Sequence, residues 1–158
     1  MKFRTARRED IPLILQFIRE LADYEHMLDQ VVATEGLLEQ WLFERNTAEV
    51  LFALTESGEE AGFALFFHNF STFLGRGGIY LEDLYVRPAH RGKGYGKGLL
   101  AQLARLATER GCGRLEWACL DWNRPSIDFY RSVGAVPMDE WTVYRLTGET
   151  LRALAQQA

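Results

Sequence analysis

The stretch from Tyr80 to Leu100, YLEDLYVRPAHRGKGYGKGLL, sets the strongest limit on what this chain can become. An apolar run ends at Val86, a basic glycine loop follows, and an apolar helical pattern begins near Gly94. A strand feeding a helix through so short a loop brings the end of one and the start of the other to the same place. The first N–H groups of that helix have no intrahelical acceptor, and their partial positive charge favours an anion. Gly92, Gly94 and Gly96 let a phosphate approach the backbone, while Arg91 and Lys93 add charge. The letters exclude two known phosphate loops. Gly96-Lys97 is followed by Gly98, where G-x-x-x-x-G-K-[ST] needs a hydroxyl, and Lys97 and Leu99 stand where G-x-G-x-x-G needs its last glycine. What remains is R-x-x-G-x-G at a strand-to-helix junction.

The flanking sequence predicts mixed secondary structure. KFRTA reads as a first strand, and Ile14, Phe17, Ile18 and Leu21 recur at helical spacing after Asp10 and Pro12. Thr34 is placed to cap a second helix carrying Leu37, Leu38, Trp41 and Leu42. EVLFALT and AGFALFFH form a hairpin around Gly58, and FSTFLGRGG reads as a loop. Beyond the long helix, which Gly111 stops, RLEWACL is a strand and PSIDFYRSV a short helix ended by Gly134. EWTVYRL is a last strand and GETLRALAQQA a terminal helix. The expected fold is α/β or α+β: one domain over residues 1–158 with a mostly antiparallel sheet and flanking helices.

Composition narrows the function classes. Hydrophobic residues at 47% can build a core, and no run of about 18 apolar residues predicts a membrane span. MKFRTARRED lacks the apolar stretch of a signal peptide, and Cys112 and Cys119 are too few for a disulfide framework, so a cytoplasmic, reducing location is expected. His26, His68 and His90 are scattered without ligand spacing, so no metal is expected. A net charge of −4 argues against nucleic acid and permits a cationic partner.

Two further features carry chemistry. Glu82 and Asp83 interrupt the central strand, and alternation sends them to opposite faces, Glu82 with Tyr80 and Leu84. Each acid also fits an ion pair with a core arginine. A lysine-like amine has a pKa near 10.4, so about 1 molecule in 10³ is neutral at pH 7, and only the neutral form attacks a thioester. A carboxylate in the strand can bind the ammonium and take its proton; Glu82 is the candidate base and Asp83 an orienting charge. In WNRPSIDFY, Asn123 can cap a helix, and Asn123, Ser126 and Tyr130 share one face. The Tyr130 hydroxyl fits a general acid, or equally the wet end of a core residue.

The loop RGKGYG, with this order of elements, resembles the acyl-CoA diphosphate loop of the GCN5-related N-acetyltransferases (GNAT). LADYEHM, YLEDLYV, DWNRPSIDFY and the Trp in EWTVYRL narrow the resemblance to the diamine acetyltransferase branch, over nearly the whole chain. The resemblance implies a central pair of splayed strands and acetyl-CoA as co-substrate. Amides from Arg91, Gly92, Lys93, Gly94, Tyr95 and Gly96 would cradle the diphosphate. Backbone groups of Leu84, Tyr85 and Val86 would hold the acetyl carbonyl and pantetheine arm, and Asn123 and Ser126 would touch CoA. Tyr24, Glu25, Glu82, Asp83, Glu116, Trp117, Ala118 and Trp141 would line the acceptor side, and Tyr130 would be the acid. It implies direct attack by a primary amine of a small cation such as a polyamine, diamine or thialysine, and a homodimer. Leu84-Tyr85 replaces the two aromatics that usually follow YLED, and Asp121 stands where the branch often has Glu. A GNAT acting on a free amino acid or peptide amine, or a non-catalytic CoA- or RNA-binding module, are the alternatives.

Overall fold

A computed structural model describes residues 1–158, and its contacts separate two compact units, Met1–Ala118 and Cys119–Ala158. The first unit holds the sheet: β1 (Lys2–Thr5), β2 (Glu49–Leu54), β3 (Glu60–Ser71), β4 (Arg76–Val86) and β5 (Leu115–Trp117), side by side in chain order. Neighbours are antiparallel except β4 and β5, which run parallel because helix α3 (Tyr95–Glu109) carries the chain back between them.

Helix α1 (Ile11–Tyr24) covers one face. Its apolar stripe puts Ile14 and Phe17 against Val50, Phe52, Phe63, Leu65 and Tyr85. Phe17 stacks on Phe63 at 5.1 Å between ring centroids and meets the edge of Tyr85 at 6.1 Å. Two ion-pair knots fix its ends. Arg4 is bidentate to Asp10 and also reaches Glu60, tying the start of α1 to β1 and β3. That contact, with the Arg7 amide, holds the Asp10 carboxyl below its ordinary pKa. Arg87, just past β4, is bidentate to Glu20 and lies 4.5 Å over the Phe17 ring, so the last turns of α1 are held beside the end of β4. Helix α3 packs on the opposite sheet face through buried Leu99, Leu103 and Ala107.

Three predicted boundaries change. FSTFLGRGG is not a loop: β3 and β4 pair to Ser71↔Arg76, leaving only a four-residue turn, because ladder pairing with β3 overrides the weak strand tendency of Gly77 and Gly78. The second helix starts under Thr34, whose hydroxyl accepts the Leu37 amide at 3.2 Å. It stays α-helical only over α2 (Glu35–Leu38), then loosens to a π turn over Glu39–Glu44. RLEWACL pairs only over Leu115–Trp117.

The second unit contains α4 (Arg124–Ser132) and α5 (Gly148–Ala155). The expected last strand, EWTVYRL, is absent: residues 141–147 form no regular element. A strand needs a neighbour to take its N–H and C=O groups, and this unit contains no other strand to provide one. Val143 and Tyr144 are 82% and 93% exposed.

Candidate active site

Register with β3 rearranges the two carboxylates. Leu65 faces Asp83 and Phe66 faces Leu81, so Glu82 is an extra residue with no partner across the ladder, a β-bulge. Strict alternation fails there. Below the bulge Tyr80 faces Phe67, and above it Asp83 faces Leu65. Leu65 and Phe67 share the α1 face, so Tyr80 and Asp83 do too. The predicted grouping of Glu82 with Tyr80 and Leu84 is therefore corrected. Glu82 is exposed at the bulge, and Leu84, opposite Ala64, belongs to the α3 side. On β5, Glu116 lies beside Tyr80 and takes a hydrogen bond from the Asn69 side chain at 3.3 Å. Trp117 pairs with Leu81 on the other face from Glu116, and Ala118 is exposed just past the strand.

The electrostatics follow from this crowding. Asp83 is pushed up to about 7, first by burial and then by the charges of Glu82 and Glu25; every cause disfavours its ionised form. Burial also raises Glu25, at the end of α1, and raises Tyr80, which feels Glu82 and Glu116. Several carboxylates elsewhere in the unit are answered by arginines, among them Asp10 by Arg4, Glu20 by Arg87, and Glu49 by Arg110 at 2.7 Å. The α1 face of β4 instead gathers acids and tyrosines, a surface that stabilises a bound cation.

The glycine loop stands at the end of the same strand. Gly92 and Gly94 have φ of +74° and +85°, a region costly for residues with a side chain, and Gly94 is the residue from which α3 starts. The first bond within the helix comes from the Gly98 amide to the Gly94 carbonyl, so the preceding amides lie at the open helix mouth. His90 braces the loop between Glu59, at 3.5 Å, and the Tyr95 ring. Both basic loop side chains turn back on the backbone: Lys93 donates to the Ala89 carbonyl at 3.0 Å and Arg91 Nε to the Val86 carbonyl at 2.8 Å. β5 pairs with β4 only as far as Leu81↔Trp117, while β4 continues to Val86, so the two strands part at Glu82.

In the second unit, Asn123 is buried and its side chain accepts the Ser126 amide at 3.4 Å, the cap the sequence implies, with Tyr130 half-buried further along α4. Trp141 is 75% exposed. Asn69 and Arg87 belong to the site's surroundings without standing in any motif. Asn69 meets Glu116 across 47 positions, and Arg87 meets Glu20 across 67, separations for which a single chain offers no local signal.

A parallel β4–β5 pair, a glycine loop at positive φ opening a helix, and two strands parting beside it make up a GNAT-type fold. The Acetyltransferase (GNAT) family model matches residues 15–135, and the chain belongs to that family and is an N-acetyltransferase. It is 39% identical to the thialysine N-epsilon-acetyltransferase of Bos taurus, over 96% of this chain and 95% of that protein. It is 31% identical to the L-ornithine N5-acetyltransferase NATA1 of Arabidopsis thaliana, over 97% and 87%. Among solved structures, the Vibrio cholerae integron cassette protein VCH_CASS6 superposes with a TM-score of 0.80 at 30% identity, covering 98% of this chain and 97% of that one.

Proposed function

We propose that this chain moves the acetyl group of acetyl-CoA directly onto a primary amine of a small cationic acceptor, a diamino acid or a polyamine, within a ternary complex. The observation that carries the reading is Asp83: a half-buried carboxyl raised to about 7 by desolvation and by the charges of Glu82 and Glu25, on the same strand face as Tyr80 and three residues before the end of β4. The names of two relatives, acetylating thialysine and L-ornithine, support an acceptor that presents an amine on a short chain.

The sequence alone favours Glu82 as base; burial moves the assignment to Asp83. Proton transfer from an ammonium of pKa near 10.4 to an ordinary aspartate is uphill by about 9 kcal/mol. To Asp83 at about 7 it is uphill by about 5 kcal/mol. Glu82, Glu25 and Glu116 then serve as the negative field that draws in the cation, with the rings of Tyr24, Tyr80 and Tyr85 as its walls. Amides of Gly92 to Gly96 hold the diphosphate, and backbone groups of Leu84, Tyr85 and Val86, past the point where β5 leaves, hold the pantetheine arm and the oxyanion. By the motif WNRPSIDFY, Asn123 and Ser126 contact CoA, and Tyr130 protonates the departing thiolate.

The reading includes a homodimer. Its support is the apolar surface of Trp141, Val143 and Tyr144, far more exposed than side chains of that kind usually remain.

The deciding experiment is a screen of spermidine, putrescine, thialysine, ornithine, lysine and aminoglycosides with labelled acetyl-CoA. Turnover confined to diamino acids or polyamines is expected. Turnover of none of them, with an N-terminal peptide acetylated instead, overturns the acceptor assignment.

A further inference from the structure

Arg91 occupies an unexpected place for a loop residue in a phosphate site. Its guanidinium carbon lies 5.0 Å from the centre of the Tyr24 ring and 5.5 Å from that of Tyr85, while its Nε donates to the Val86 carbonyl at 2.8 Å. Tyr24 ends α1 immediately before Glu25, and Tyr85 lies two residues along β4 from Asp83. A planar cation of the protein's own thus lies over the aromatic pair bordering the acidic face. The neighbouring Arg87 cannot take this part, since Glu20 holds it in a bidentate pair. Arg91 has no carboxylate partner among the ion pairs of the chain, and its side chain is exposed.

We propose that Arg91 is a positioning residue that couples the two substrate sites: it covers Tyr24, Tyr85 and the Val86 carbonyl in the free protein, and a diphosphate at the glycine loop draws it away. The inference rests on the reading of that loop as the donor site. Two states follow. Without donor, the guanidinium stands in for the acceptor cation and competes with it for the rings. With donor, a doubly charged group a few residues away offers Arg91 a stronger, charge-assisted partner than a carbonyl. Its departure opens the rings to the acceptor and frees the Val86 carbonyl for the amide-bearing arm of the donor. Donor then strengthens acceptor binding, and by reciprocity acceptor strengthens donor binding by the same factor.

Titration calorimetry tests this with CoA, which cannot acetylate, as the donor probe and thialysine as the acceptor probe. In the wild type, saturating CoA is expected to tighten thialysine binding by roughly fivefold or more. Arg91→Ala, an exposed change not expected to disturb folding, should abolish that factor and make thialysine bind the CoA-free protein more tightly than the wild type does. A merely structural role would not produce such a gain. Tyr24→Phe, which keeps the ring, should retain the factor, and Tyr24→Leu should lose it. If CoA binds and thialysine binds, but the factor is absent in the wild type or persists in Arg91→Ala, the coupling is wrong and the donor site stands. If CoA does not bind the wild type at all, the loop reading fails and the coupling with it; if thialysine binds neither state, the acceptor pair is misassigned and the proposal falls.

Discussion

Tyr80 and Asp83 lie three positions apart on β4 yet share its α1 face, because the bulge at Glu82 inserts one residue between the pairs Phe66↔Leu81 and Leu65↔Asp83. A regular strand would have separated them. The bulge puts the half-buried carboxyl on the α1 face, where desolvation and then the charges of Glu82 and Glu25 raise its pKa. Acetylation by the wild type should therefore rise with pH through a limb near 7, as Asp83 loses its proton. Asp83→Asn should remove that limb and lower kcat/KM by roughly 10²-fold or more, the scale of general-base catalysis. Glu82→Gln should keep the limb and raise KM for the acceptor. A pH–rate profile of the three proteins decides between the two acids, and loss of the limb in Glu82→Gln alone would return the role to Glu82.

The same group links stability to pH. Its folded pKa, about 7, lies above the ordinary 3.8, so between those values the folded protein holds a proton that the unfolded chain has released. Stability from this group is present below about 4 and is lost as pH rises through 7. From pH 5 to pH 8 the wild type should lose roughly 2–3 kcal/mol more than Asp83→Asn does. Urea melts of both proteins at the two pH values measure the difference, and equal slopes would show that Asp83 is not held protonated.

Gly94 tests the donor loop. Its φ of +85° is strained for alanine, whereas a Cβ there would meet only the end of Met1 at 3.7 Å. Backbone conformation, not crowding, is what Gly94→Ala changes. Acetyl-CoA affinity should fall by roughly tenfold, while folding stability falls by about 1–2 kcal/mol, the cost of a side chain at left-handed φ. Calorimetry and a thermal melt separate the two, and unchanged affinity would detach the loop from the diphosphate.

What the sequence made legible was local. The loop glycines, the helix they open, the Thr34 and Asn123 caps and the α1 stripe each depend on neighbours within a few residues, and each is found. The bulge was invisible, because it is a property of β3 and β4 together, and the assignment of faces to Glu82 and Asp83 failed with it. Nothing local marks Tyr24 and Glu25 as neighbours of β4; the Arg87–Glu20 pair, across 67 positions, brings that end of α1 beside the strand. EWTVYRL has the composition of a strand, but composition cannot supply the neighbour that a strand requires.

Tyr130 is assigned by motif as the acid for the leaving thiolate. Tyr130→Phe keeps the ring and removes the proton donor, so kcat should fall by roughly 10²-fold with little change in acetyl-CoA affinity. The loss should be smaller for a donor thioester whose thiol is more acidic, since a better leaving group needs less help. Equal losses for both donors would make Tyr130 a packing residue.

Trp141, Val143 and Tyr144 carry the dimer assignment. They are 75%, 82% and 93% exposed on a segment with strand composition and no strand neighbour. Such a segment in a second copy can supply the neighbour, pairing backbone groups and covering these side chains at once. Sedimentation at micromolar concentration should then give twice the 18.1 kDa mass of the chain. Val143→Asp with Tyr144→Glu should shift the equilibrium toward monomer by roughly tenfold or more, since both changes place charge where apolar area would be buried. A wild-type monomer at that concentration, or a dimer indifferent to the double change, would place the interface elsewhere.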